Sequence, residues 1–270
     1  MEQSFSLEGK VIVVTGGTGI LGNSFVNAIV EAGGVVGILG RNAEIANERA
    51  DAINKNGGKA IALIADAMDE AQLIAAREKV IAAFGKIDGL VNAAGGNMPE
   101  GVLQPDENIF SMKMDGMKKV LDLNLWGTLI PTQIFGEAIA QTGKGSIVNI
   151  SSMNSKKAVT KVLGYNMGKA AVDCYTQWFA VELANRYGDK IRMNALAPGF
   201  FLTEQNRNLL TTPDGFTPRG QSVIKQTPFK RFGDPDELKG ALVWLLSDAS
   251  QFVTGAMICV DGGFSIFSGV

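Results

Sequence analysis

An α/β fold, a doubly wound parallel sheet of about seven strands with helices on both faces, is the architecture this sequence predicts. Three observations carry the prediction. Short apolar runs alternate with amphipathic segments from end to end, a glycine-rich turn follows the first run, and no linker divides the 270 residues. Runs buried on both faces need crossover helices to cover them, and crossovers make neighbouring strands parallel. One core suffices for a protein of this length, so residues 1–270 read as a single domain.

The first strand is the run Val11-Ile12-Val13-Val14. Glycines 16, 17, 19 and 22 follow it, and an apolar-periodic helix covers residues 21–32. Residues 35–39 form the second strand, and an Ala-rich helix over 43–56 is closed by Gly57-Gly58. The third strand spans 60–65, the next helix 70–84 with Gly85 as its stop, and the fourth strand 88–92. Residues 95–114, with Pro99 and Pro105, are too irregular for a routine turn and read as a loop on the substrate side. A helix over 115–141 leads to a strand over 146–150, and a long helix over 163–186 leads to a strand over 191–196. A second polar excursion occupies about 200–232, before a closing helix over 235–246 and a strand over 257–260. Ligands of such a sheet sit at the carboxyl ends of its strands, where the strand order reverses.

Composition narrows the function. Hydrophobic residues make up 46% and charged residues 19%, as in an ordinary globular protein. The 25 basic and 27 acidic residues leave a net charge of -2 without a basic run, which argues against a nucleic-acid partner. Histidine is absent, so proton transfer must use another group and the commonest zinc ligand is missing. Cys174 and Cys259 lie in apolar stretches without ligand spacing and read as buried reduced thiols, with no metal site expected. The first ten residues lack the features of a signal peptide and no run reaches membrane-spanning length, so a cytoplasmic location is expected.

Gly16, Thr18, Gly19, Ile20, Leu21 and Gly22 lie between a strand and a helix. Missing side chains there let the backbone approach a pyrophosphate, and free N–H groups at the helix start favour its charge. The setting predicts a Rossmann-like nucleotide site. Asp66, followed by Ala67, ends the third strand and either accepts from the adenine amino group or caps the next helix. Asn92-Ala93-Ala94-Gly95 ends the fourth strand, where small side chains leave room for ribose. At the end of the second strand, Gly40 supplies no carboxylate for a ribose diol, whereas Arg41, beside Asn42, supplies a cation suited to a 2′-phosphate. A solvated arginine opening a helix is the alternative. On chemistry alone the site leans to NADP(H).

Tyr165 and Lys169 stand at i and i+4 on one helix face. A nearby ammonium and an oxidised nicotinamide would both favour the phenolate and make the tyrosine an acid–base group at neutral pH. The pair alone can be incidental. Ser152, 13 residues before Tyr165, is delivered by a strand end and can hold a substrate oxygen. Asn124, polar within an apolar helical stretch, either holds a water leading to Lys169 or repairs a helix defect.

This ordered ensemble resembles the short-chain dehydrogenase/reductase family over essentially the whole sequence. The resemblance implies an NAD(P)-dependent oxidoreductase with a catalytic tetrad of Asn124, Ser152, Tyr165 and Lys169. It also places Tyr165, Lys169, Pro198, Gly199, Phe201 and Thr203 around the cofactor, with Val260-Asp261-Gly262-Gly263 as the C-terminal signature. Two positions depart from the family pattern: Ile20 stands where it has glycine, and an alanine follows Asn92 where many relatives have a second asparagine.

A narrower resemblance, to the D-mannonate oxidoreductases (fructuronate reductases) of this family, rests on Ala94-Gly95-Gly96-Asn97, on residues 201–207 and 217–220, and on the ending 263–270. It implies NAD(H), against the lean from Arg41, and a small hexuronate as substrate. Gluconate 5-dehydrogenase or a related sugar-acid or polyol dehydrogenase is the alternative in the same class. A cofactor-bound structural or regulatory protein is the alternative in another, disfavoured by the complete tetrad. Gly96, Asn97, Ser152, Asn154 and Gln205 are the expected hydroxyl partners, and Arg207 or Arg219 the expected carboxylate partner, unless these arginines are solvated or lie between subunits. Related enzymes are commonly homotetramers through helix packing, and the same is expected here.

Overall fold

The structure, a computed structural model, describes residues 2–104 and 106–269, the side chains of Glu2, Gln3, Glu204 and Gln205 excepted. In sequence order the main elements are α1 (Glu2–Phe5), β1 (Val11–Thr15), α2 (Ile20–Glu31), β2 (Val35–Gly40), α3 (Ala43–Lys55) and β3 (Lys59–Ile64). They continue with α4 (Glu70–Phe84), β4 (Gly89–Asn92), α5 (Met114–Thr142), β5 (Gly145–Ile150), α6 (Leu163–Tyr187) and β6 (Ile191–Pro198). The last are α7 (Glu204–Leu210), β7 (Thr211–Thr212), β8 (Gly215–Phe216), α8 (Pro218–Gln226), α9 (Lys239–Leu246) and β9 (Met257–Val260).

Seven strands form one parallel sheet, as the sequence predicts, and their order across it is β3-β2-β1-β4-β5-β6-β9. Every residue of β1 is buried, because helices cover both faces of a strand that carries no polar side. On one face Val14 and Ile38 meet Phe25 and Ile29 of α2, Ala46 and Ala50 of α3, and Leu242 and Leu245 of α9. On the other, Val13 and Leu63 meet Leu73 and Val80 of α4, Phe135 and Ile139 of α5, and Leu183 of α6. β1 pairs with both β2 and β4, so the order reverses between β1 and β4 and opens a crevice above their carboxyl ends.

Local signals account for several boundaries. Asn42 and Asp69 accept hydrogen bonds from Ile45 and Gln72 N–H at the starts of α3 and α4, and Gly85 ends α4 in the left-handed conformation. The segment 95–114 contains 3₁₀ turns at Pro99–Gly101 and Ile109–Ser111, and is tied to the approach to α6 by Leu103 N–H donating to the Lys161 carbonyl.

Four expectations change. The excursion 200–232 holds two helices and a small hairpin rather than a loop. Its signals are short: Thr203 with Asn206 as a capping box, and Thr217-Pro218 as cap and first turn. The closing helix is split, 3₁₀ over Pro235–Leu238 and α from Lys239. The short α1 carries no strong periodicity and goes unforeseen. Both cysteines are exposed: α6 buries Lys169, Val172, Asp173 and Thr176, leaving Cys174 on its outer side, and Cys259 lies on the edge strand β9. An apolar neighbourhood in sequence does not specify which side of a helix faces the core.

Candidate active site

The turn after β1 is shaped to admit a ligand backbone-first. Gly16 has φ +65°, and a Cβ there would lie 2.6 Å from the Ala93 carbonyl oxygen. A Cβ on Gly22 would overlap the Gly16 carbonyl oxygen itself. Gly19 occupies the N-cap of α2 and donates to the Gly16 carbonyl at 3.0 Å. Ile20 is therefore already the first helical residue, where a side chain is tolerated. Arg49 of α3 braces the same turn, its Nη1 donating to the carbonyls of Gly17 at 2.5 Å and Gly19 at 3.0 Å. Thr15 Oγ1 accepts from Ala93 and Ala94 N–H, both at 3.1 Å, which joins the ends of β1 and β4.

Along this turn runs a cleft that also contains Gly40, Arg41, Asp66, Ala67, Ala93, Ala94, Gly95, Asn97 and Thr203. Its close turn, which a Cβ at position 16 or 22 would force open against Ala93 or Gly16, fits a dinucleotide diphosphate. A Cβ at Gly40 would stand 2.5 Å from Thr18 Oγ1, so a ribose-binding carboxylate there would require Thr18 to move. Arg41 is exposed and reaches Asp66 Oδ2 at 3.7 Å. Asp66 does not cap α4; Asp69 does, and Asp66 instead accepts from Met68 N–H at 2.9 Å. The side chains of two expected residues are taken up by structural bonds. Asn42 is the α3 cap. Asn92 is 1% exposed and donates to Thr132 Oγ1 and Asn149 Oδ1 at 2.8 and 2.9 Å, under the site rather than in it. Its side chain points into the sheet–helix interface, as strand alternation from Val91 requires.

A second cavity, of about 210 Å³, shares Leu21, Ala93, Gly95, Asn97 and Thr203 with the cleft and continues past Ser152, Asn154, Tyr165, Lys169, Pro198, Gly199 and Phe201. Ser152 ends the β5 segment in an extended conformation and accepts from Asn154 N–H at 3.2 Å. Tyr165, Lys169 and Asp173 follow at four-residue intervals on α6 and form one ridge. Lys169, 4% exposed, donates to the Ile150 carbonyl at 2.7 Å, with its Nζ 5.6 Å from the Tyr165 ring centre. Burial pulls its pKa down to about 8, opposed by the negative charge of Asp173. Burial pushes the Tyr165 phenol up, opposed by its hydrogen bond with Ser152. Desolvation thus outweighs any effect of the ammonium within the protein itself, and the phenol keeps its proton at neutral pH. The phenolate expected at this position depends also on the positive charge of an oxidised nicotinamide, which the protein's own groups do not supply.

Asn124 spends its amide on structure. Nδ2 donates to the carbonyls of Gly96 and Val120, both at 2.7 Å, and Oδ1 accepts from Gly96 N–H at 3.0 Å. A Cβ on Gly95 would meet both Asn124 Oδ1, at 2.8 Å, and Lys169 Nζ, at 3.2 Å, so these groups converge on that glycine. Asn97 Oδ1 is buried without a partner where cavity and cleft meet.

Of the two candidate arginines, Arg219 lines the cavity and Arg207 does not. Arg219 donates only weakly, to Thr160 Oγ1 and O at 3.4 and 3.3 Å, and pairs with no carboxylate among the described residues. Burial lowers its pKa. Among the described side chains the cavity wall contains no Asp or Glu, so Lys169 and Arg219 leave it cationic. The Gln205 side chain lies outside the described residues. Sequence reasoning missed Arg49, whose contact joins distant segments, and Asn206, which lines the cavity while donating to the Phe201 carbonyl at 2.8 Å. The capping-box spacing from Thr203 was the available signal for Asn206.

A family model described as enoyl-(acyl carrier protein) reductase matches residues 18–265. The uncharacterized oxidoreductase UxuB of Bacillus subtilis (strain 168) is 39% identical over 98% of each chain. A Haemophilus influenza structure described as a candidate D-mannonate oxidoreductase with bound NAD superposes with a TM-score of 0.90, at 37% identity, over 100% of this chain and 99% of that one. A Burkholderia cenocepacia J2315 gluconate 5-dehydrogenase in complex with NADP and tartrate gives 0.86 at 33% identity, over 98% of each. With the cradle, the Ser152–Tyr165–Lys169 cluster and these likenesses along its length, the chain belongs to the short-chain dehydrogenase/reductase family and is an NAD(P)-dependent oxidoreductase acting on alcohol or ketone groups.

Proposed function

We propose that the protein interconverts D-fructuronate and D-mannonate. The observation that carries this reading is Arg219, a half-buried guanidinium without an acidic partner in a cavity wall free of described carboxylates, on the same cavity as Ser152 and Tyr165. An arginine in such a place is suited to a substrate carboxylate, with which it can form two parallel hydrogen bonds. The likeness to one structure described as a candidate D-mannonate oxidoreductase and to a gluconate 5-dehydrogenase supports a sugar acid.

When bound, the reduced nicotinamide supplies the hydride for the keto carbon. Tyr165, kept protonated by burial, gives its proton to the oxygen of that carbon, and Ser152 holds the same oxygen. Lys169 lies between Tyr165 and the end of β5 and is assigned to the nicotinamide ribose. Asn124 fixes Gly96 against it. Asn97, Asn154 and Gln205 are assigned to substrate hydroxyls. At the adenosine end, position 40 carries no acid to repel a 2′-phosphate and Arg41 lies beside it, so the site admits NADPH as well as NADH. Exposed Trp126 on α5 and Trp178 and Val181 on α6 are apolar enough to support helix packing between copies in a cytoplasmic homotetramer; light scattering in solution tests this.

The substrate assignment is tested by comparing kcat/KM for fructuronate, fructose and 5-ketogluconate with both cofactors, in the native protein and in Arg219→Met. Fructuronate is expected to exceed fructose at least about 100-fold, and the variant to lose most of that preference, since an unpaired half-buried guanidinium penalises the neutral sugar. Equal use of fructose refutes the carboxylate reading. Strong preference for 5-ketogluconate moves the enzyme to the gluconate branch.

A further inference from the structure

Asp173 is the one buried carboxylate among the described residues, at 8% exposure, and the reaction described above does not use it. It stands one turn beyond Lys169 on the ridge that faces β5, and each member of that ridge grips a successive part of the strand end. Thr176 accepts from Asn149 Nδ2 at 2.9 Å, Asp173 Oδ1 accepts from the Ser151 hydroxyl, Lys169 donates to the Ile150 carbonyl at 2.7 Å, and Tyr165 bonds Ser152. Ser151 is itself 1% exposed, and its N–H continues the β5–β6 ladder by donating to the Leu196 carbonyl at 2.8 Å. Held by its backbone to β6 and by its hydroxyl to Asp173, Ser151 fixes the point from which Ser152 leaves the end of β5.

We propose that Asp173 is a positioning residue of this active site, whose buried carboxylate, anchored by Ser151, keeps the Lys169 ammonium charged and the Ser152 segment in register with Tyr165. The inference rests on the assignment of Ser152, Tyr165 and Lys169 to the reaction. The groups around Lys169 are few: Tyr165 and Asp173 on α6, the Ile150 carbonyl on β5, and Asn124 on α5. Asp173 is thus the one carboxylate facing it among the described residues. Asp173 in turn faces Ser151, Ser155, Lys156 and Lys169, and Cys259 from β9. Lys169 and Asp173 make no direct ion pair, so the carboxylate acts through the low-dielectric interior, where charges couple across longer gaps than in water.

The test follows the titration of Lys169 itself, without substrate, by NMR of protein carrying lysine labelled with ¹³C at Cε, the resonance being assigned by its loss in Lys169→Met. In the native protein the midpoint is expected near 8. In Asp173→Asn, and in Asp173→Ser as a second neutral variant, it is expected to fall by about one pH unit or more. The alkaline limb of kcat should move with it, for whichever keto acid the native enzyme reduces. Ser151→Ala, which leaves the carboxylate in place, should keep that midpoint but lower kcat about 10-fold or more with cofactor affinity unchanged. A midpoint that stays put in both Asp173 variants, or normal kcat in Ser151→Ala, overturns the proposal. Because the titration needs no substrate, a moved midpoint in an enzyme that reduces no keto acid would sink the functional reading and leave the charge coupling standing.

Discussion

Lys169 has an ordinary value of 10.5 pulled to about 8 by burial, and that displacement can be read as stability. At 4% exposure its side chain has little solvent to screen it. Each pKa unit corresponds to about 1.4 kcal/mol, so holding this ammonium in the folded protein near pH 7 costs about 3 kcal/mol relative to the unfolded chain. The folded value lies below the unfolded one, so between about pH 8 and 10.5 the unfolded chain binds more protons. Stability attributable to this lysine therefore rises with pH across that window and is flat below it. Lys169→Met keeps the aliphatic stem and removes the charge. It also leaves the Ile150 carbonyl without its donor, a loss of about 1–3 kcal/mol that does not depend on pH. The comparison to make is the native protein minus the variant, by urea unfolding at one protein concentration and fixed ionic strength. Between about pH 7 and about pH 9.5 the native protein should gain about 2 kcal/mol on the variant, while the variant stays catalytically dead at both. A difference that does not change with pH would refute the reasoning, because it would mean the folded environment does not depress this ammonium.

Other consequences are direct. Tyr165→Phe keeps the ring but not the proton, and should lower kcat at least about 1,000-fold while cofactor titration by fluorescence stays within about two-fold of native. Gly22→Ala forces Cβ onto the Gly16 carbonyl; cofactor affinity should fall at least about 100-fold and the unfolding midpoint should drop, as overpacking costs about 1–3 kcal/mol, and native affinity would contradict the diphosphate cradle. Arg41→Ala should weaken NADPH by about 1.5–3 kcal/mol and NADH far less, and equal losses measured by fluorescence titration would remove Arg41 from phosphate recognition. Asn97→Ala should raise KM for the keto acid about 10-fold with little change in cofactor affinity, since its unpartnered Oδ1 faces the shared wall; an unchanged KM places that oxygen outside the substrate's reach.

Much of the sheet was legible beforehand for a specific reason. Strands buried on both faces must be continuous apolar runs, as in Val11 to Val14, and each crossover helix is bounded by glycine or a cap, as at Gly85 and Asp69. The ridge of α6 at the cavity was legible too, because Tyr165 and Lys169 belong to one helix and their spacing alone puts them on one face. The excursion 200–232 was less so: its helices are short and lean on one another, α7 on α8, and on neighbouring loops rather than on the central core. With little of the core to face, they carry little periodicity to read.

The sequence by itself determined the fold class, the order of its strands along the chain, the glycine cradle, and the placing of Tyr165 and Lys169 on one helix face, since all of these are written in runs, turns and four-residue spacings. Tertiary structure decided what each polar group meets. It put Arg219 rather than Arg207 at the cavity, turned Asn92 to structural bonds, tied the Asn124 amide to Gly96, and set Asp173 beneath Ser151. It also decided the direction of the pKa shifts at Tyr165 and Lys169. Partner choice and desolvation depend on residues distant in sequence and brought close only when the sheet is complete, and no local pattern encodes that proximity.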